Sequence, residues 1–257
     1  MRRSIRSAAV LAATISLVPA TGALAQSSLG LTLAEVGLTV DGGDQDARIG
    51  GFASGDYRIT GAHGFQLDVR LTDRPGGVLG QIDGHLYLAP GDDRKYGFVL
   101  SLADMDGVET TIASAGVEAM FQLGENTFVA GRAVLGYARP GNIDFIGLSG
   151  SVTHALTDRT ALFATLDVAE FDEESLRANA WAGRIGVTYQ PDASPFEVTA
   201  ALAVDGLSGR DSAPNEARLE LGLTWRFGAT GGARRSVVER AFSATQYFDP
   251  LLRRGLF

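Results

Sequence analysis

Leu219-Glu220-Leu221-Gly222-Leu223-Thr224-Trp225-Arg226-Phe227 sets a large apolar residue at every second position and a polar or small one between. In a β-strand, residues i, i+2 and i+4 share a face, so this segment reads as a strand with one greasy side and one polar side. A helix would scatter the same residues around its axis. The pattern recurs upstream. Phe65, Leu67, Val69 and Leu71 alternate with Gln66, Asp68, Arg70 and Thr72. Trp181, Gly183, Ile185, Val187 and Tyr189 alternate with Ala182, Arg184, Gly186 and Thr188. Phe196, Val198, Ala200, Leu202 and Val204 alternate with Glu197, Thr199, Ala201, Ala203 and Asp205.

Twelve such segments are predicted, at about 29–40, 47–59, 64–73, 78–89, 95–104, 110–123, 127–138, 143–155, 160–171, 178–190, 195–206 and 217–227. A tilted strand crossing a membrane needs ~9–11 residues, whereas ordinary globular strands have a mode of ~5–6. Most of these segments are of the longer kind. Turn residues separate them, among them Asp41-Gly42-Gly43, Pro75-Gly76-Gly77, Gly124-Glu125-Asn126 and Pro140-Gly141-Asn142. Neighbouring strands are therefore joined directly. The fold class is all-β: an up-and-down antiparallel transmembrane β-barrel of about 12 strands with a short C-terminal extension. Two segments are irregular. Leu29, Leu31 and Leu33 share one parity and Val36, Leu38 and Val40 the other, which predicts a bulge near Ala34-Glu35. In 143–155, Phe145 and Leu148 fall on opposite faces.

Composition narrows the class further. The chain has 257 residues, 33 glycines, 8 prolines and no cysteine, so disulfides and thiolate chemistry are excluded. Past the N-terminal leader, no run approaches the ~20 apolar residues of a membrane-spanning helix. Arg2, Arg3 and Arg6, an apolar Ala8–Ala20 and Ala23-Leu24-Ala25 have the form of a secretory signal peptide over 1–25, with a mature start at Gln26. Removing that segment leaves 19 basic and 30 acidic residues, net −11. Such acidity argues against a nucleic-acid partner. The domain reading is 1–25 signal peptide, 26–227 barrel and 228–257 extension.

Aromatic residues collect at one rim. Phe65, Phe98 and Phe196 lie near the starts of odd strands; Tyr87, Phe121, Tyr189, Trp225 and Phe227 lie near the ends of even ones. Together they form a candidate girdle at a membrane interface, on the periplasmic side if the N-terminus lies there. Phe128 and Phe163 belong to the same rim but fall on the inward parity. That polar parity carries Asp56, Asp68, Asp83, Glu118, Asp167, Glu197 and Glu220 against Arg48, Arg58, Arg70, Arg132, Arg184, Arg218 and Arg226. Opposite charges confined in a narrow bore should pair. Small inward residues, among them Gly97, Gly116, Gly147, Gly186 and Ala201, suggest spare room. Acids also crowd the connections Asp41/Asp44/Asp46, Asp104/Asp106/Glu109 and Asp172/Glu173/Glu174.

The segment 219–227 resembles the closing strand of Gram-negative outer-membrane β-barrels, in which alternate apolar residues lead to a terminal aromatic. The resemblance covers about 29–227 and specifies no subfamily. It implies outer-membrane localisation after export, contact with outer-membrane lipid and lipopolysaccharide, and recognition by the barrel assembly machinery. The chain departs from the pattern by continuing for 30 residues past Phe227. That extension is net +3 and shows a helical face at Val237, Val238, Ala241, Phe242 and Thr245, to be stopped by Asp249-Pro250. It reads as a periplasmic plug drawn to the acidic barrel, a surface helix, or a loose extension.

Function then divides on the bore. Twelve strands lie between the ~8 whose side chains fill a barrel and the ~16–18 that leave a water channel. The favoured expectation is a porin-like barrel passing small hydrophilic solutes, with no cofactor, no metal and no enzymatic activity. The alternative is a structural or interaction barrel with a closed lumen. A lipid-modifying enzyme is the third: His85 shares a face with Asp83, which would orient an imidazole, but no serine is placed beside it, and the His-x-Ser signatures of outer-membrane lipases and lipid A deacylases are not matched.

Overall fold

A computed structural model of the chain describes residues 30–43, 47–107, 109–174, 176–192, 194–228 and 232–256. The expected signal peptide, Asp44, Asp46 and Phe257 lie outside the described residues. Twelve strands form one closed antiparallel barrel in sequence order: β1 (Gly30–Gly43), β2 (Arg48–Arg58), β3 (His63–Arg74), β4 (Gly77–Gly91), β5 (Arg94–Met105), β6 (Thr110–Leu123), β7 (Thr127–Arg139), β8 (Ile143–Ala155), β9 (Thr160–Asp172), β10 (Arg177–Tyr189), β11 (Phe196–Gly209) and β12 (Ala213–Phe227). Closure is made by β1 on β12, with Ala34 opposite Phe227 and Gly43 opposite Arg218. Every strand therefore has a partner on both sides, the condition under which a sheet can sit in lipid without unpaired backbone.

The outer surface is apolar on all strands. Exposed residues run from Leu38 in β1 through Leu100 in β5, Leu135 in β7 and Leu166 in β9 to Leu221 in β12. Leu100 is 66% exposed and Leu135 67%. A continuous belt of such residues is unfavourable in water and fits a hydrocarbon surround. The rim that carries both ends of the barrel is called the near rim below, and the opposite one the far rim.

The structure differs from the expected pattern at four places. The β1 bulge lies two residues earlier, where Leu31 pairs with Tyr57 and Leu33 with Asp56, leaving Thr32 as the extra residue. Thr32 Oγ1 donates to the Asp56 carbonyl at 3.1 Å, so the hydroxyl anchors the bulge. Leu31 then faces out and Leu33 in. β8, by contrast, keeps the expected split of Phe145 from Leu148: Ile143 and Phe145 point inward, Ile146 and Leu148 outward. β12 begins at Ala213 rather than near 217, because an irregularity between Asp205 and Leu207 lets the Pro214-Asn215 stretch join the ladder. Tyr87 is no part of the aromatic girdle. It shares parity with Asp83 and His85 and is buried inside the barrel. Among its described residues the extension forms no long helix: 3-10 turns at Gly232–Arg234 and Val237–Glu239 precede an extended run, and α1 spans Asp249–Arg253. Pro250 begins α1 rather than ending a helix, since a first-turn position needs no N–H.

The lipid-facing assignment has a direct test. Leu100→Arg should destabilise the barrel by ~2–4 kcal/mol, the penalty for a cation near the bilayer midplane. Urea unfolding in phospholipid vesicles measures it. A near-zero change would mean that β5 presents this face to water.

Candidate functional site

The barrel is not empty. Residues 232–256 enter at the near rim, run through the bore and end at the far rim. At the near rim, the Ala233 N–H donates to the Asp158 carbonyl at 2.8 Å and Arg234 pairs with Asp158, also at 2.8 Å. The Val237 N–H donates to the Asp92 carbonyl at 3.1 Å. Both acceptors sit in turns between strands. Val237 and Phe242 pack with Tyr87, Ala89, Met120 and Phe128.

At mid-depth the tail is extended, and wall side chains take the place of a neighbouring strand. The Gln66 amide clamps Phe242, accepting from its N–H at 2.7 Å and donating to its carbonyl at 2.9 Å. Arg132 donates to the Ser243 carbonyl at 2.6 Å, and Gln81 to that of Thr245 at 3.1 Å. Lys95, fully buried, donates to the Arg240 carbonyl. These contacts answer where the backbone bonds of a segment buried in a barrel go.

Toward the far rim the filling becomes a small hydrophobic core. Tyr247, Phe248, Leu251 and Leu252 meet Leu79, Met105, Ile112, Ile143, Phe145 and Phe171. Phe248 stands edge-on to Phe145 and Phe171, with ring centroids 4.9 and 4.8 Å away. Leu251 and Leu252 are 0 and 1% exposed, and burying each such side chain is worth ~1.5–3 kcal/mol. An ion lattice frames this core. Arg253 binds Asp41 through two parallel bonds of 3.0 and 2.8 Å and reaches Asp249 at 2.7 Å. Asp249 also pairs with Arg74; Arg254 reaches Asp205 at 2.6 Å, and Asp205 binds Arg218. Asp41, expected in an outward acidic loop, thus holds the tail.

The inward charges named from the sequence are brought together in part. Asp68, Asp83, His85, Glu118, Arg132 and Arg218 are buried. His85 Nδ1 lies 2.6 Å from Glu118 and Nε2 3.1 Å from Asp68, while Arg132 binds the other Glu118 oxygen at 2.7 Å. Both ring nitrogens face carboxylates, the arrangement in which both carry hydrogen. Asp83, expected to orient His85, is instead held by Gln81 at 2.9 Å. The imidazole's partners come from two sides of the bore, Asp68 from the adjacent β3 and Glu118 from β6, which stands opposite Gly97 of the intervening β5. The His85 ring stacks on Phe242, 5.6 Å between centroids. Asp68, Asp83 and His85 bring one donor atom each within 4.8 Å of one another, but Gln66, Gln81 and Glu118 already occupy them. Elsewhere on the wall, Arg184 pairs with Glu220 at 2.7 Å, and Arg226 with Glu197 at 3.1 Å and with Glu35. Asp167 and Arg70 line space that the tail leaves open.

Of the girdle residues, Phe65, Phe98, Phe121, Tyr189, Phe196 and Phe227 are exposed on the outside. Trp225 stacks on Phe196 at 5.6 Å. Phe128 and Phe163 line the inside. Lys95, Glu35, Arg74, Asp205 and Tyr87 were not expected among the inward site residues. Parity held the signal, since Lys95 shares a face with Gly97 and Asp205 with Glu197. Among the small inward residues, Gly147 makes room for the tail, since a Cβ there would come within 2.8 Å of the Tyr247 ring, whereas Gly97, Gly116 and Gly186 lie close against other wall residues.

No family profile and no curated protein sequence matches the chain. Solved structures do. The chain is similar to the KdgM porin with a TM-score of 0.53 and 11% identity, covering 75% of this chain and 99% of that one. To the NanC porin the TM-score is 0.55 with 10% identity, over 75% and 98%. LpxR from Salmonella typhimurium stands farther off, at a TM-score of 0.46 and 9% identity, with 74% and 99% covered. These likenesses show the fold: a closed 12-stranded antiparallel β-barrel, the architecture of those two porins.

Gln66→Leu removes the clamp and strands a buried N–H and carbonyl at Phe242. Each stranded group costs ~1–3 kcal/mol. Amide exchange at Phe242 should accelerate at least tenfold, while exchange in the β6–β7 ladder stays unchanged. Equal protection in both proteins would show that the clamp does not hold the tail.

Proposed function

We propose that the chain resides in the outer membrane as a porin-like barrel whose C-terminal tail is an internal plug, so that small hydrophilic solutes pass only when the far-rim end of the tail is displaced. The observation that carries this reading is the burial of Phe248, Leu251 and Leu252 against the wall. With that core in place, the far half of the bore has no room for solute. The near half keeps cavities of about 310 and 290 Å³ on one side of the tail. The wall is complete without the tail, because all twelve strand pairs form among β1–β12. With both barrel ends at the near rim, that rim faces the periplasm and the far rim the lipopolysaccharide leaflet. The assembly machinery would read β12, and lipid would cover the apolar belt.

A second reading is a barrel permanently closed, serving structure or interaction. The density of ion pairs along the bore favours it, since Arg74, Arg132, Arg218, Arg226 and Arg253 all have carboxylate partners. Catalysis by His85 gains no support: both its nitrogens face carboxylates rather than a nucleophile.

Planar-bilayer recording separates the two readings. The full chain should be nearly silent, and a Leu251→Asp/Leu252→Asp protein, its α1 unseated by two buried charges, should show discrete conductance steps. Heat-modifiable gel migration confirms that the barrel has folded. Silence from a folded double variant whose tail is open to protease would leave the closed barrel standing. Steady conduction by the full chain would remove the plug.

A further inference from the structure

The tail does not fill the near half of the bore evenly. It leaves two overlapping cavities, of about 310 and 290 Å³, bounded mainly by β1–β3 and β8–β12, the first reaching also to Met120 and Phe128. Both are lined by Phe52, Arg70, Arg184, Arg226, Arg235 and Arg240. Arg70, Arg184 and Arg226 come from β3, β10 and β12; Arg235 and Arg240 come from the tail.

The carboxylates lining this space are already engaged. Glu35 and Glu197 both bind Arg226. Glu220 binds Arg184 at 2.7 Å, and Asp68 faces His85 at 3.1 Å. Three guanidinium groups lack a carboxylate at hydrogen-bonding distance. Among the described residues, no hydrogen bond or ion pair engages Arg70, whose Nε is buried without a partner and whose guanidinium carbon lies 5.6 Å from the Phe52 ring centre. Arg235 donates to the Gly232 carbonyl at 3.1 Å, its Nε is buried without a partner, and its nearest carboxylate, Glu197, is 3.8 Å away. Arg240 spends its donors on the carbonyls of Arg235 and Ala233, at 3.2 and 2.6 Å, and lies over the Phe128 ring at 3.6 Å. Carbonyls and ring faces orient a guanidinium but do not cancel its charge.

Positive charges held away from bulk water without counter-charge are strongly unfavourable. Here the counter-charges act only from a distance, Asp68 and Asp83 on Arg70 and Glu197 on Arg235 and Arg240, so a mobile anion would supply the close partner that this space lacks. Guanidinium donors are planar forks that match the oxygens of carboxylate and phosphate better than a spherical ion. We propose that this space is a binding site for a small oxyanion, a carboxylate or phosphate group, held jointly by Arg70 of the wall and Arg235 and Arg240 of the tail. A bound anion then bridges tail and wall and holds the plug in its seat. The assignment rests on the tail lying in the bore and deepens the plugged-barrel reading by naming what regulates the plug.

The test uses the full chain folded in detergent micelles, titrated calorimetrically with inorganic phosphate and, separately, with acetate at constant ionic strength. One saturable site is expected for at least one of the two, and the tighter arm identifies the preferred headgroup. Arg70→Gln and Arg235→Gln should each weaken it at least tenfold, whereas Arg139→Gln, at the far rim, should leave it unchanged. Arg235 lies outside the wall, so its variant retains the barrel. In a second measurement, the bound anion should slow amide exchange at Phe242 in the unaltered chain but not in Arg235→Gln. Absence of saturable binding by a protein whose Phe242 amide is protected would overturn the anion site while leaving the plug intact. Equal affinity in all variants would overturn it as well. An unprotected Phe242 amide in the anion-free chain would instead reject the plug itself.

Discussion

The pairing of β1 with β12 is the contact on which the rest depends. In hydrocarbon every backbone N–H and carbonyl must find an internal partner, and a sheet achieves that only by closing on itself. Ten residue pairs, from Ala34–Phe227 to Gly43–Arg218, make the closure. Once closed, the alternation of side chains leaves no choice about where polarity goes. Leu219, Leu221 and Leu223 lie on the apolar outside, and Arg218, Glu220 and Arg226 enter the bore. Confinement then forces those charges to pair, or to find another partner inside.

The bore of a 12-stranded barrel is too wide for its own side chains to fill, and in this chain the sequence continues past the closing strand to do so. The fit is specific. Inward glycines face aromatic rings, as Gly147 faces Tyr247 of the tail and Gly64 faces Tyr87 of the wall. Wall amides and guanidinium groups act as a substitute strand for Phe242–Thr245. The same residues that line a water channel in an open barrel are therefore committed to protein contacts.

What could be read from the sequence follows from which interactions are periodic. The strands were legible because alternation over twelve or more residues is a strong, repeated signal, and β6 and β8 occupy the residues expected of them. Failures occurred where a local signal was overruled by a distant contact. Tyr87 sits at girdle height in its strand, yet its parity turns it inward to Asp56 and Phe242. Phe145 looked anomalous in β8 because its partner, Phe248, lies more than a hundred residues downstream. The helical face expected at Val237–Thr245 was a true apolar periodicity serving a different purpose: Val237, Val238 and Phe242 pack into one cluster on the wall, with only the 3-10 turn at Val237–Glu239 helical. Turn chemistry located α1 by the wrong sign, because Asp249-Pro250 is as good a start as a stop.

The tail's two halves are held by different physics. At mid-depth the contacts are hydrogen bonds from wall side chains to tail backbone, and such bonds exchange for water at a net cost of only ~0.5–1.5 kcal/mol each. At the far rim the contacts are apolar burial by Phe248, Leu251 and Leu252, framed by the Arg253–Asp41 and Arg254–Asp205 pairs. Burial of that kind has no comparable replacement in a wet bore. The far-rim core is therefore the latch, and the extended run is a tether that follows it. Because the strand ladder contains no tail residue, releasing the latch leaves the wall's hydrogen bonds untouched. Plug and wall are separable cooperative units, and the arginines that lack a close carboxylate lie on the seam between them.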